Sequence, residues 1–482
     1  MQFLMEPRID TPPTSSIKSG VLIHLLSNST IDLKQRVFVT SNGRVDYFGD
    51  SPMAMLLTMY TLQHQSPEKL ASLHLSRVPV VQPSFSAQPV VGGNGLAECV
   101  ANYFRHFHPY FPVVHKAKFL KRLAEVPPVL VNMVCAIGAG YSPHLSTLRG
   151  WCTSQAVTQL RYAQCSVGTM TAMLLMANYQ HAPGEFIHGW AYLGYAIRMA
   201  YALGLDRASP SMINRDDAEI RRRVWWCLHI LDKLYAFSLN RPWTIDARIT
   251  SPSLPRLINP DLVLDTPEER AESACSLAFT RHLAELCDLM CLMVRKFKFT
   301  EVHIATKESE FLAQATARHL DLWSNKVEAA YHKIAARYPN ANTRLFTLNL
   351  RLIYYGTLVQ LFQSVSPEHH LRCTHAANNA ILLAASLGQE FNLHSITYKF
   401  YALSSAIMIQ IRNCRSTDQT LAAASNANLQ IGLHLLKAAI PFYPLAREFH
   451  RLASLLAQAE LIPIHQNVSF LFSNFNMPIL TQ

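Results

Sequence analysis

The chain has 482 residues, half of them hydrophobic, with 17 glycines and a formal net charge of +11. A chain of this length can bury a large core, and length alone allows two or three domains. Helical periodicity fills almost every long segment, and no alternating strand runs flank hairpin turns, which argues against a β-rich architecture. The sequence therefore predicts an all-α protein, a large multi-helix domain.

The positive charge invites a nucleic-acid interpretation, because phosphate neutralisation by Lys and Arg supplies most non-specific affinity. The basic residues are nevertheless spread through the predicted helices, with local concentrations at Arg221–Arg223 and at Arg295, Lys296 and Lys298. Two interpretations stay open for these concentrations. One is solvated faces or internal ion pairs, the commoner outcome for charge runs. The other is a docking surface for DNA-bound partners or acidic coregulators.

The cysteine pattern favours a reducing compartment, and the hydropathy pattern predicts no membrane-spanning segment. The ten cysteines scatter without disulfide spacing, and some, such as Cys135 and Cys227, lie within apolar stripes. The N-terminus carries Glu6, Asp10 and early prolines, unlike a secretory signal. The apolar, uncharged segment at residues 126–141 is shorter than the roughly 20 residues that span a bilayer, so it predicts a buried helix.

The chain divides into four predicted parts. Residues 1–40 are poorly patterned, and residues 41–95 hold a short segment followed by a linker rich in Pro, Ser and Gly. Residues 96–465 are expected to form one continuous helical unit, and residues 466–482 a C-terminal tail. We find no internal repeat of fixed period.

An aromatic segment with three histidines opens the helical part. His106, His108 and His115 lie close together, but Pro109 and Pro112 break the helix between them and no Cys, Asp or Glu completes a ligand set. A metal site and packed aromatic and histidine side chains are both open interpretations, and the packed arrangement is favoured.

The stretch from Asp216 to Asp246 predicts a buried helix with marked ends. Its apolar side chains recur at three- and four-residue spacing and define one buried face: Ile220, Val224, Leu228, Leu231, Tyr235 and Leu239. Asp216 and Glu219 have the spacing of a capping box at its start. Asn240, Arg241 and Pro242 predict its end, through a left-handed cap followed by a residue that cannot continue the helix.

Polar and aromatic side chains of this stretch suggest internal contacts. We expect Arg223, Asp232 and Arg241 to form a buried or half-buried polar set that holds the helix to the turn after it. Five tryptophans could line a ligand pocket, although aromatic residues at helical spacing more often form the core. These tryptophans are Trp151, Trp190, Trp225, Trp226 and Trp243.

Helical patterning continues to the end of the predicted unit. Thr266, Pro267 and Glu269 combine three start signals: an N-cap, a proline in the first turn and a capping box. Further helices are predicted at about 306–337, 343–364, 371–388, 395–412, 419–439 and 444–460.

A helix carrying RRRVWWCLHILD and closing in NRPWTID resembles the signature of the fungal-specific transcription factor domain, the regulatory middle region of fungal zinc-cluster transcription factors. Segments 43–57, 101–119, 189–207 and 373–387 resemble other parts of that family in the same order. Two positions depart from the family pattern, with Asn240 in place of Gly and Asp206 in place of His. The residues that carry the signature are Arg221, Arg222, Arg223, Trp225, Trp226, Asp232, Arg241, Pro242 and Asp246.

The resemblance implies a helical regulatory body that acts in transcription, in the nucleus and also in the cytoplasm. It implies transcriptional partner proteins, homo- or heterodimerisation and a small-molecule effector, and it implies no catalytic residue, cofactor or metal. We expect a pathway-specific regulator, with a secondary-metabolite gene cluster as the pathway.

The six-cysteine DNA-binding module of that family is not found in this sequence. The closest cysteines, Cys287 and Cys291, are four apart, and no spacing matches a zinc cluster. Direct, sequence-specific DNA binding is therefore not expected. Two alternatives follow: recruitment to promoters through a partner, or a truncated or degenerate zinc-cluster factor whose module lies upstream of Met1 or was lost.

An all-α enzyme is the remaining alternative. Terpene-synthase-like enzymes hold magnesium through Asp-rich helices, and Asp216-Asp217 is the only Asp pair here. Glu219 lies one position too early to share a helix face with that pair. No nucleophile motif or metalloprotease motif occurs. The sequence therefore favours a regulator over an enzyme.

Overall fold

The structure is a computed structural model, and it describes the chain in segments. These are residues 30–32, 37–39, 45–47, 95–181, 186–209, 213–239, 241–246, 253–255, 266–297, 307–363, 370–388, 398–440 and 444–458. The linker predicted before residue 95, Asn240 and the tail after residue 465 lie outside the described residues.

Fourteen α-helices occupy the described part of the chain. They are α1 (Gly95–Asn102), α2 (Lys116–Lys121), α3 (Pro128–Ala139), α4 (Ser146–Leu160), α5 (Val167–His181), α6 (Phe186–Ala202), α7 (Arg215–Leu239), α8 (Pro267–Phe297), α9 (Lys307–Arg337), α10 (Thr343–Gln363), α11 (His370–Leu387), α12 (Tyr398–Asn413), α13 (Gln419–Ala439) and α14 (Pro444–Gln458). A π-helical turn (Tyr103–Phe107) and two short 3-10 helices (Leu123–Glu125 and Pro143–Leu145) lie between them. The predicted all-α class is confirmed, and the predicted helices after α8 begin within about three residues of their observed starts.

A small sheet precedes the helices. Strands β1 (Thr30–Asp32), β2 (Val37–Val39) and β3 (Val45–Tyr47) pair antiparallel in the order β1-β2-β3. The sequence predicts no strand there, because three-residue strands are too short to show a period-2 pattern.

The described helices bury two main hydrophobic cores. The N-terminal core contains α3, the end of α4, α5, α6, one face of α7 and aromatic side chains of residues 103–119 other than Tyr110, which belongs to the C-terminal core. The C-terminal core contains α8 to α14 and another face of α7. Helix α7 therefore contributes to both cores.

A smaller cluster of three thiols lies between α1, α3 and α4. Cys99, Cys135 and Cys152 are all buried there, and all ten cysteines of the chain are free thiols. Burial raises the pKa of the Cys99 thiol to about 11, so this thiol is protonated and unreactive at neutral pH.

One predicted helix start and one further helix end can be followed in atomic detail. The Thr266 hydroxyl accepts a hydrogen bond from the Glu269 amide at 3.3 Å, and the Glu269 carboxylate accepts one from the Thr266 amide at 3.4 Å. The predicted capping box at the start of α8 is confirmed. At the end of α6, Gly204 has φ +67° and the Leu205 amide donates to the Ala200 carbonyl at 2.9 Å, which is a Schellman motif.

Candidate functional site

Helix α7 lies between the two cores and presents a different face to each. It packs against α5 and α6 on one side and against α8 and α12 on the other. The face predicted from the sequence is confirmed at Val224, Leu228, Leu231 and Tyr235, which are buried in the N-terminal core. Ile220 is partly buried against the same core, and the side chain of Leu239 lies outside the described residues.

Helix α7 has a second apolar face that the sequence prediction does not include. Ile230, Leu234 and Phe237 are buried in the C-terminal core, at spacings of four and three residues. That spacing is itself a helical signal and could have identified the face. Two buried faces on one helix explain why α7 is nearly all buried from Val224 to Ser238.

The start of α7 differs from the prediction. Asn214, not Asp216, is the N-cap: its side-chain oxygen accepts from the Asp217 amide at 2.8 Å, and its amide nitrogen donates to the Asp217 carboxylate at 2.9 Å. The predicted box with Glu219 is wrong because that side chain is fully buried inside the helix packing. Asparagine caps helices as well as aspartate does, so the earlier residue prevails.

The N-terminus of α7 is also joined to α2. Lys118 forms an ion pair with Asp217, and this contact lowers the pKa of the Asp217 carboxyl. Lys116 on the same helix forms an ion pair with Glu269 at 2.6 Å. The short helix α2 therefore contacts the first turns of both α7 and α8. Among the described residues, the Asp217 carboxylate, one of the two in the Asp pair, therefore contacts the side chains of Lys118 and Asn214.

The three consecutive arginines of α7 make internal contacts. Arg222 and Arg223 both pair with the buried carboxylate of Glu219, the latter at 3.2 Å. The Arg221 guanidinium donates to the carbonyl of Leu203 at the end of α6. Of the two interpretations of this charge run, internal pairing therefore describes these residues. The side chains of Arg295, Lys296 and Lys298 lie outside the described residues.

Asp232 and Lys233 form a buried polar centre at the end of α7. Both side chains are 2% exposed and their charged atoms are 3.0 Å apart. The Asp232 carboxylate accepts hydrogen bonds from the amides of Thr244 at 3.0 Å and Ile245 at 2.8 Å. Lys233 donates to the Ile245 carbonyl. These contacts hold the segment after α7 against the helix.

Arg223 lies apart from Asp232, its predicted partner in the polar set of Arg223, Asp232 and Arg241. Arg223 lies nine positions before Asp232 on one helix, about 13 Å along its axis, and pairs with Glu219 instead. The Arg241 guanidinium lies 5.0 Å from the ring centroid of Trp190 on α6, a cation–π contact. Helix geometry therefore excludes Arg223 from the predicted set, whereas a contact between Asp232 and Arg241 stays a prediction. The energetic role of Asp232 stays a prediction.

The turn after α7 touches both cores. Ile245 is fully buried in the N-terminal core, whereas Trp243 packs against the C-terminal core and lies 5.8 Å from the Lys233 ammonium. The Arg241 amide donates to the Ala236 carbonyl at 3.0 Å, the spacing of a Schellman motif. Pro242 is exposed and Asp246 is half-buried.

Tyr235 brings α7 into close contact with the two preceding helices. Its hydroxyl donates to the Ala177 carbonyl of α5 at 2.8 Å. A Cβ atom placed on Gly189 of α6 would lie 2.2 Å from that hydroxyl oxygen. Glycine is therefore required at position 189 for α6 to approach α7 this closely.

The tryptophans belong mainly to the packed interior. Trp225 is fully buried in the N-terminal core, with Tyr201 in an edge-to-face contact at 5.5 Å. Trp226 packs against both cores and donates from its indole nitrogen to the Ser253 carbonyl at 3.0 Å. Trp151, Trp190 and Trp243 are partly buried against the cores.

The histidines of the aromatic segment pack as the favoured interpretation predicts. His108 contacts the rings of Tyr103 and Phe104, at centroid distances of 6.2 and 5.1 Å. Burial, with Arg223 nearby, lowers the pKa of His108 to about 3. His115 accepts from the Lys118 amide and so caps α2. Within the described residues, no three His, Cys, Asp or Glu side chains are arranged to hold a metal ion.

A comparison with known protein families gives one match, to the model described as "Fungal specific transcription factor domain", over residues 100–331. Residues 100–331 are a fungal specific transcription factor domain. The domain begins within α1 and ends within α9, so it contains the whole N-terminal core and all of α7. Helix α7, with its RRRVWWCLHILD motif, lies inside this domain.

Several fungal proteins are similar to parts of the chain. The Zn(2)-C6 fungal-type transcription factor FTF1c of Fusarium oxysporum f. sp. lycopersici is 29% identical over 157 residues, 28% of this chain and 17% of the relative. Cutinase transcription factor 1 alpha of Fusarium vanettenii is 23% identical over 325 residues, 59% of this chain and 35% of the relative. Negative regulator of pleiotropic drug resistance STB5 of Candida glabrata is 27% identical over 196 residues, 34% of this chain and 19% of the relative.

The family, FTF1c and cutinase transcription factor 1 alpha are described as transcription factors, and STB5 is described as a negative regulator. The matched segments span between about a sixth and a third of the relatives' lengths. By its matched domain and by the names of its relatives, the chain is similar to fungal transcription factors. No helix in the described part of the chain has both the length and the apolar content to cross a lipid bilayer.

Proposed function

We propose that this chain is the regulatory body of a pathway-specific transcription regulator, and that a fungal secondary-metabolite gene cluster is the pathway it controls. The transcription factor domain at residues 100–331 supports the regulatory role. Relatives named for cutinase and for pleiotropic drug resistance support control of a defined gene set, because their names describe such sets. The proposed location is the nucleus, where promoters are, with a cytoplasmic pool as well.

The observation that carries the proposal is the position of α7 between two cores. A ligand or partner that binds one half of the body acts on the other half only through elements that belong to both. Helix α7 and the turn of Trp243 and Ile245 are such elements. A change in the packing of α7 against one core therefore alters its packing against the other core. Such coupling between two parts of a domain is what regulation by a ligand or partner requires.

Promoter contact is proposed to run through another protein. These 482 residues contain no cysteine spacing that would form a zinc cluster. A DNA-bound partner, or a second subunit in a homo- or heterodimer, would supply the base-reading contacts.

The test combines deletion of the gene with transcript profiling and chromatin occupancy of a tagged protein. We expect one coherent gene set to lose expression, and the tagged protein to occupy the promoters of that set. Complementation with the wild type and with Gly150→Ala should restore expression, because a Cβ at Gly150 meets no atom within 4 Å. Unchanged transcripts after deletion would overturn the proposal. Promoter occupancy that is lost when a DNA-bound partner is removed supports recruitment through that partner. Promoter occupancy by the purified chain alone would overturn the proposed recruitment.

A further inference from the structure

A solvent-accessible groove of about 810 Å³ lies between α13 and α14, next to the end of α12. It lies outside residues 100–331, in the C-terminal core region of the chain. Its volume is in the range of pockets that hold small organic ligands, roughly 300 to 1,000 Å³. Neither the domain match nor the helix α7 contacts account for it.

One wall of the groove is a polar stripe on α13. Asn426, Gln430, His434 and Lys437 follow one another at spacings of four, four and three residues, which places them on one helix face. All four are exposed. None of these side chains makes a hydrogen bond or ion pair with another described residue. The stripe therefore offers several donors to a ligand that enters from solvent.

The charge of the groove is positive. Arg415 and Lys437 line it, and no Asp or Glu is among its lining residues. The Arg415 guanidinium donates to the Leu456 carbonyl of α14 at 3.2 Å, which fixes its position at the groove wall. Burial, with Lys437 nearby, lowers the pKa of His450, so this side chain is neutral at pH 7 and the two cations remain.

Apolar side chains complete the groove. Ile411, Leu429, Leu433 and Leu456 line it beside the polar stripe. A cationic wall beside an apolar surface is complementary to a molecule with an anionic head and an apolar body.

We propose that this groove binds an organic anion, a small molecule with an apolar body and a carboxylate, sulfonate or phosphate head. That the bound anion acts as an effector rests on the proposed regulatory function, whereas the binding of the anion to the groove does not. The Lys437 ammonium holds the anionic head, and the Arg415 guanidinium adds positive charge to the same groove. The leucine side chains cover the apolar body.

The experiment titrates the purified full chain with 8-anilinonaphthalene-1-sulfonate, an organic anion that fluoresces in apolar sites. We expect one saturable site and roughly three- to tenfold weaker binding by Lys437→Gln, because one charge-assisted contact is lost. The matched control is Lys333→Gln, an exposed lysine of α9, which should bind as the wild type does. The uncharged N-phenyl-1-naphthylamine, with the same apolar body, should bind more weakly than the anion and equally to all three proteins.

Hydrogen exchange then locates the bound probe. Protection confined to α13 and α14 supports the proposal. Equal binding of the anion by the wild type and Lys437→Gln would overturn it, and so would protection outside these helices. Binding of a glutamate-rich peptide without binding of the anion would also overturn it, in favour of a peptide-docking surface. Because the assay uses purified protein, its failure leaves the transcript profile of the deletion strain unaffected, and the two proposals are tested separately.

Discussion

The carboxylate of Asp232 accepts a hydrogen bond of 2.8 Å from the backbone amide of Ile245, which lies in the turn after α7. Both residues are buried, and Lys233 beside Asp232 reaches the carbonyl of the same isoleucine. Because Ile245 belongs to the N-terminal core and Trp243 packs against the C-terminal core, this contact fixes the turn relative to both.

Asp232→Ala is expected to lower the free energy of unfolding by about 3 to 5 kcal/mol, because it leaves the Lys233 ammonium buried without its carboxylate. Chemical denaturation of the purified protein measures this cost. The control is Glu328→Ala, which removes one half of a surface pair with Arg351 and should change the free energy by less than about 0.5 kcal/mol. Equal, small effects of both substitutions would contradict the described role of Asp232.

Gly189→Ala is expected to destabilise the fold by about 1 to 3 kcal/mol, because the new methyl group would overlap the Tyr235 hydroxyl. Gly150→Ala is the matched control: it also lies in a helix but has free space around it, so it should stabilise by about 0.5 to 1 kcal/mol. Removing the hydroxyl with Tyr235→Phe should reduce the cost of Gly189→Ala. Additive effects in this double-mutant cycle would show that the two residues do not touch.

Asn214→Ala and Asp216→Ala distinguish the observed cap of α7 from the predicted one. The first substitution removes the acceptor for the Asp217 amide and should cost about 1 kcal/mol. The second removes only a favourable charge near the helix N-terminus and should cost a few tenths of that, about 0.3 kcal/mol. Thermal unfolding of both variants provides the comparison, and the reverse order would return the cap to Asp216.

His108 is expected to contribute to acid sensitivity. Its pKa is about 3 in the folded protein and about 6.5 when unfolded, so its contribution to stability is complete above pH 6.5. As the pH falls from 6.5 toward 3, the unfolded chain takes up a proton that the folded chain does not, and stability is lost. In the middle of this range the unfolded chain holds nearly one more proton at this residue, so the loss approaches about 1.4 kcal/mol per pH unit.

His108→Phe should reduce this dependence between pH 6.5 and 4.5, since phenylalanine fits the aromatic contacts and does not titrate. His319→Phe, at an exposed position of α9, is the control and should leave the pH dependence unchanged. Denaturation midpoints measured across this range give the slopes. An unchanged slope in His108→Phe would show that the imidazole is protonated in the folded protein.

The local features of the fold were largely predictable from the sequence. The start of α8 was identified because Thr266, Pro267 and Glu269 act through short-range contacts that sequence spacing specifies. The face of α7 that packs against the N-terminal core is likewise predictable from its helical periodicity. The cap at Asn214 was missed because Asp216 offers an equally good side chain two residues later, and local chemistry does not rank the two.

The long-range features were not predictable. Periodicity shows which side of a helix is buried but not which helix covers it, so the two cores on either side of α7 were not identified. The contact between Gly189 and Tyr235 depends on how closely α6 and α7 approach, which no local pattern specifies. The groove beside Lys437 likewise depends on the relative positions of α12, α13 and α14, which sequence periodicity does not give.

The proposed regulation requires that α7 join the two cores into one cooperative unit. Native-state hydrogen exchange of Leu228→Ala, in the N-terminal core, and Leu234→Ala, in the C-terminal core, tests this claim most directly. Each substitution should cost about 2 to 5 kcal/mol and should reduce the protection of the slowest amides equally in α5 and in α12. Loss of protection confined to the half of the protein that contains the substituted face would contradict it.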